Sequence, residues 1–201
     1  MNNFQRFVNF SDAVIAIATT LLVLPLVERA TNVHINSYSG FMNSFSHLLF
    51  IFLLSFVVIC RYWETHHDIF TSIKSFNVRL FWLNAAWLLS IVLIPFTSEL
   101  IGNDASNSTF ITSLYIGSLL ITSYIGAAMQ WEIAHSPTLQ KSATTKSLHS
   151  AYGVGGVIAM TLALIISIVI PSVGIWALLL VIPASYIRKT FRQQKTALLE
   201  Q

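Results

Sequence analysis

The sequence predicts an all-helical integral membrane protein, and three observations carry that prediction. Hydrophobic residues make up 55% of the 201 and charged residues 9%, with a mean hydropathy of +0.70; soluble chains carry about 25% charged residues. Runs free of Asp, Glu, Lys and Arg recur along the chain, several of them long enough for a hydrocarbon core of about 30 Å. The cations crowd the connections on one side of those runs.

Each element follows from a run. The first extends from Phe10 to Val27 with Asp12 at its entrance. Its stretch without charge, Ala13 to Val27, gives about 22 Å of helix. A full crossing therefore draws Asp12 or Glu28 to the membrane, where charge is costly and usually functional. Phe41 to Cys60 and Leu80 to Ser98 form the second and third spans, and Phe110 to Trp131 the fourth, after a polar stretch at Gly102–Ser108. From Ser150 to Ile187 the run reaches about 57 Å as helix, nearly twice the core thickness. Pro171-Ser172-Val173-Gly174 near its middle signals a turn, so this run is read as two helices and a hairpin. The expectation is one domain over residues 1–201 with six transmembrane helices.

Six spans put both termini on one side. Arg6, Arg61, Lys74, Arg79, Lys141, Lys146, Arg188, Lys189, Arg192 and Lys195 share that side, and Arg29 alone lies opposite. The positive-inside rule assigns the crowded side to the cytoplasm. The same placement accounts for the basic balance without nucleic acid. The expected location is the cell (cytoplasmic) membrane, multi-pass, with the first helix retained because its one cation and missing small-residue cleavage site do not resemble a signal peptide. Small residues recur every fourth position at Gly155, Ala159, Ala163 and Ser167, and at Ser118, Thr122 and Gly126. They allow close helix approach within or between subunits.

At 100° per residue, Ile17, Leu21 and Leu24 share one face of the first helix, Thr20 borders it, and Asp12 lies about 140° from Ile17. Such a stripe faces a pore, lipid or a neighbouring helix. Asp12 needs partners in a desolvated setting. Arg6, His66, His67, Asn84 and Trp87 share its side of the membrane. Structural glue is the preferred reading of that set over proton relay.

Adjacent imidazoles at His66 and His67 diverge by about 100° on a helix, which disfavours a shared metal; no metal and no cofactor are expected. No nucleophile and base are paired, so an enzyme is not expected. Tyr152-Gly153-Val154-Gly155-Gly156 superficially matches a glycine-rich potassium filter, but its glycines start a span instead of forming a loop between helices. Pro25 leaves the carbonyl of Leu21 without its helical donor and can bend the first helix.

The run Arg6, Phe10, Ser11, Asp12 reads Arg-x-x-x-Phe-Ser-Asp, followed by Ala-Val-x-Ala-Ile-Ala-x-Thr-Leu-Leu-Val-Leu through Leu24. With Tyr62-Trp63, His66-His67, Leu83-Asn84, Trp87 and Pro95-Phe96 it resembles the lysosomal potassium channel family of transmembrane protein 175, and the first helix looks like its bacterial branch. The resemblance is carried by Arg6 to Phe96. It implies a homotetramer with the first helices around a central pore and no re-entrant filter loop. It places a hydrophobic constriction at Ile17, further apolar rings at Leu21 and Leu24, and potassium selectivity at Thr20. Arg6, Phe10, Ser11, Asp12, His66, His67, Asn84 and Trp87 become a structural signature network. The function expected is a potassium-permeable cation channel, with potassium ions, the bilayer and other copies of the chain as partners. The alternative is a proton channel or proton-coupled secondary transporter using Asp12 and His66 or His67.

Overall fold

The computed structural model describes residues 3–32, 38–103, 108–141 and 145–170 with Trp176 and Leu178, excluding the side chains at 3, 43, 44 and 145–154. Its helices are α1 (Asn3–Leu21), α2 (Leu24–Asn32), α3 (Tyr38–Thr71), α4 (Val78–Gly102), α5 (Thr109–His135) and α6 (Thr145–Val169). Among the described residues, four segments are long and apolar enough to cross a membrane: Phe4–Asn32, Phe45–Thr71, Val78–Gly102 and Thr109–His135. Gly155–Val169 is a shorter apolar stretch within the fifth expected span. The sixth expected span, its hairpin at Pro171–Gly174 and the C-terminal cations lie outside the described residues, apart from Trp176 and Leu178.

The first span is two helices. α1 stops at Leu21, a turn occupies Leu22 and Val23, and α2 restarts at Leu24. Pro25 explains the break: it lacks an N–H, and its ring clashes with the carbonyl four residues back. Hydrogen bonding resumes where Val27 N donates to Val23 O at 3.2 Å. Sequence had suggested a bend at this proline; the chain interrupts the helix one turn before it.

α3 outruns its apolar segment. No Gly or Pro occurs between Phe41 and Thr71, so nothing in the backbone stops the helix at Cys60. Arg61 pairs with Glu64 one turn on, and Thr65 Oγ1 donates to Arg61 O at 3.0 Å. Tyr62, Trp63, His66 and His67 therefore ride on a helix, which fixes the direction each faces.

Three polar ties position the helices. In the interior, Ser55 Oγ of α3 lies 2.9 Å from Ser98 Oγ of α4 and 2.8 Å from Tyr115 Oη of α5. On α5, Ser118 Oγ lies 3.0 Å from Thr97 Oγ1, and a methyl on Gly126 would meet Trp87 Nε1 at 3.5 Å. The small-residue stripe of α5 thus packs against α4 of the same chain. α6 lies along α5 and buries Ala163 and Ser167 of its own stripe.

The third tie joins two loops. Ile73 and Gln140 form an isolated antiparallel bridge, with Lys74 N donating to Leu139 O at 2.9 Å and Lys141 N to Ser72 O at 3.2 Å. Beside it Asn77 accepts from Leu80 N at 2.7 Å, capping α4, and donates through Nδ2 to Glu132 Oε1 at 2.8 Å. Glu132, nearly buried at the end of α5, also accepts from Arg79 and Ser136. A carboxylate taken from water needs such donors.

Asn77→Ala should therefore cost about 1 to 3 kcal/mol, from a lost cap and a lost donor to a buried carboxylate. The thermal midpoint of the purified protein in detergent should fall accordingly. An unchanged midpoint would remove Asn77 from the tie.

Candidate functional site

α1 has two unlike faces. Ser11, Ile15, Ala18 and Leu22 recur at helical spacing and are buried, while Phe10, Ala13, Ile17, Thr20 and Leu21 are exposed. Ile17 is 59% exposed and Leu24, beyond the break, 51%. Because the turn at Leu22–Val23 intervenes, Leu24 reaches the exposed side without the continuous helix that the wheel assumed. Thr20 Oγ1 donates to Ile17 O at 2.8 Å, leaving its oxygen lone pairs toward the exposed side.

The buried face is fastened by two adjacent residues pointing about 100° apart. Ser11 Oγ donates to Phe7 O at 3.2 Å and accepts from Asn84 Nδ2 at 2.9 Å. Asn84 Oδ1 then accepts from His66 Nε2 at 2.7 Å. Ser11, Asn84 and His66 are all buried, so α1, α4 and α3 share one chain of hydrogen bonds in the interior. The His66 ring stacks on Trp87 with centroids 4.5 Å apart and lies 4.4 Å from that of Phe70. Trp87 supports the network as an aromatic wall, not as a donor to Asp12.

Asp12 turns toward α3. Trp63 Nε1 donates to Asp12 Oδ1 at 3.0 Å, a contact that the sequence reading missed. The signal was present: Trp63 and His66 stand three residues apart on one helix and so face the same neighbour. His67 is exposed with its ring 5.8 Å from that of Trp63, while His66 is interior, so the two imidazoles do not converge. Arg6 and Phe10 are exposed on α1. The structure thus gathers Ser11, Asn84, His66 and Trp87, joins Asp12 to Trp63, and leaves Arg6, Phe10 and His67 at the periphery.

Below the network Phe4 and Phe7 pack against Phe70, Phe76 and Phe81, the closest pair being Phe7 and Phe76 at 4.7 Å. Such pairs contribute about 0.5 to 1.5 kcal/mol each beyond their burial.

Residues 6–95, the segment containing α1 to most of α4, match the family model of the endosomal/lysosomal potassium channel TMEM175. A potassium channel of Chryseobacterium sp. is 26% identical over 147 residues, covering 73% of this chain and 73% of that protein. The human endosomal/lysosomal proton channel TMEM175 is 26% identical over 147 residues, covering 69% of this chain and 28% of the human protein. In fold, the chain matches the crystal structure of a lysosomal potassium-selective channel TMEM175 homolog from Chamaesiphon minutus with a TM-score of 0.75 and 21% identity. That match covers 94% of this chain and 98% of the other.

Asn84→Leu should cost about 1 to 3 kcal/mol, because it leaves the buried His66 Nε2 donor without its acceptor and reduces Ser11 Oγ to its bond with Phe7 O. Trp63→Phe, which keeps the ring but removes the donor to Asp12, should cost about 1 kcal/mol. Thermal midpoints in one detergent would rank them. Equal losses would mean that the two connections are not separate.

Proposed function

We propose, on the premise that the chain belongs to the TMEM175 family through its residues 6–95, that it is the subunit of a potassium-permeable cation channel of the cell membrane. Six helices per subunit, both termini in the cytoplasm and four copies around one axis complete this reading. The observation that carries it is the asymmetry of α1: one face is fastened by Ser11 and Asp12 to α4 and α3, and the opposite face leaves Ile17, Thr20 and Leu21 exposed.

Four copies of that face around an axis would place a ring of isoleucines at Ile17. A ring of that kind restricts a pore sterically and by dewetting. Thr20, with its proton committed to Ile17 O, would offer lone pairs to a cation losing part of its hydration. No re-entrant filter loop is invoked, so discrimination arises at Ile17 and Thr20. The signature residues keep α1 in register and do not touch the ion.

A proton pathway through Asp12 and His66 or His67 is the second reading, favoured by the human relative, which is a proton channel by name. In the single chain Asp12 is bonded to Trp63, and His66 to Asn84. A relay would need a rearrangement of both.

Current across a planar bilayer under opposed potassium and sodium gradients tests the reading. The reversal potential should lie toward the potassium equilibrium value. Ile17→Asn should raise the leak or broaden permeation, because a polar ring wets the constriction. Unchanged conductance and selectivity in that variant would take Ile17 out of the pore. Asp12→Ala should chiefly reduce the yield of tetramers. Normal tetramers that lose proton flux alone would favour the second reading.

A further inference from the structure

The signature network backs onto a cavity of about 100 Å³, lined in part by Tyr62, Thr65, His66, Trp87, Thr122 and Gln130. Two buried polar atoms of these residues have no partner, His66 Nδ1 and Gln130 Oε1. Their side chains belong to residues that are 1% and 3% exposed. A buried polar atom left without a partner is costly.

Proton bookkeeping tells what the cavity lacks. Ser11 gives its hydroxyl proton to Phe7 O, so it must accept from Asn84 Nδ2. That orients the Asn84 amide with Oδ1 toward His66, and His66 must then donate from Nε2. In the neutral imidazole Nδ1 is left as a lone pair. The lining hydroxyls have no proton to offer it: Tyr62 donates to Leu119 O, Ser123 therefore to Tyr62 Oη, Thr65 to Arg61 O and Thr122 to Ser118 O. These groups present acceptors to the space between them.

We propose that this cavity is a built hydration site, whose water donates one proton to His66 Nδ1 and the other to Gln130 Oε1. The class of guest follows from the wall: small, and a double hydrogen-bond donor. A polar cavity with two or more partners holds water where an apolar one stays dry. The volume accommodates up to about three molecules. The water extends the chain from the Phe7 carbonyl through Ser11, Asn84 and His66 to Gln130, and so couples α1 to α5 by way of α4 and α3. It also brings an exchangeable proton to His66 without passing Asp12. The inference stands on the single chain and does not rest on the channel reading.

The test is solid-state NMR on the full chain in lipid vesicles with ¹⁵N-labelled histidine, following magnetisation transfer from water to the imidazoles. His66 should be neutral, protonated at Nε2 and bare at Nδ1, and should receive magnetisation from water despite its burial. Gln130→Leu should reduce that transfer severalfold while leaving the Nε2 resonance in place. Gly156→Ala is the second variant. Gly156 lines the cavity, and an added methyl meets no atom within 4 Å, so it narrows the space without a clash and should also lower the transfer. A His66 that receives nothing from water, a proton found on Nδ1, or transfer indifferent to both substitutions would each overturn the proposal.

Discussion

The amide of Asn84 is the junction on which the arrangement of the first helices depends, because it bonds α1 through Ser11 and α3 through His66 from a fully buried position on α4. In a bilayer, lipid is as apolar as the helix surfaces, and association rests on close packing and on hydrogen bonds that water does not compete for. An amide offers both donors and acceptors, and here one of each is used between helices that would otherwise slide past one another. Stacking of His66 on Trp87 adds a flat surface that resists rotation of the imidazole. Asp12, the next residue after Ser11, fixes what one bond leaves free. Two bonds about 100° apart on α1, one to α4 and one to α3, determine its rotation as well as its depth.

A fixed rotation is what gives the exposed face of α1 its meaning. Ile17 lies five residues beyond Asp12, about 7.5 Å along the axis, and Leu21 one turn further. If α1 turned by a single residue, Ala16 or Ala18 would replace Ile17 on that face, and the bulk it presents would fall to a methyl group. The signature residues can thus be strictly required without contacting anything that moves through the protein. The tie between the two loops acts at a different place: Glu132, Asn77 and the bridge of Ile73 with Gln140 set α5 against α4 and leave α1 untouched.

Much of this was legible in the sequence wherever one helix sufficed. Charge-free runs located the first four spans, and the wheel separated Asp12 from Ile17 correctly because both lie on the unbroken part of α1. Shared side and polarity singled out Asn84 and His66 as partners for Asp12, but they bond Ser11 and each other, and Asp12 takes Trp63 instead. What failed was anything requiring the register between helices. Trp63 was passed over as a donor because the second span was ended at Cys60, so its place on the face of α3 that it shares with His66 went unread. Glu132 was overlooked because two of its three donors, Asn77 and Arg79, are more than 50 residues away and meet it only once two loops have paired. Pro25 and the freed carbonyl of Leu21 foreshadowed the irregularity, but the sequence suggested a bend where the helix is interrupted.

The same logic separates two kinds of residue in α1 that sequence similarity alone would merge. Ser11 and Asp12 act through partners in the same chain, and their geometry is complete in one subunit. Ile17, Thr20 and Leu21 have the opposite character. All three are exposed in the single chain, and an isoleucine 59% exposed gains little from the fold of its own chain. In lipid that exposure carries little cost, so burial by itself cannot explain an isoleucine there. The threonine is more telling. Its hydroxyl satisfies its proton against the helix backbone, which is how serine and threonine survive in lipid, yet its oxygen faces outward beside the isoleucine. An oxygen acceptor and an exposed isoleucine within one turn form a pair that a lipid-facing surface does not need and that the proposed pore would use to dehydrate a cation.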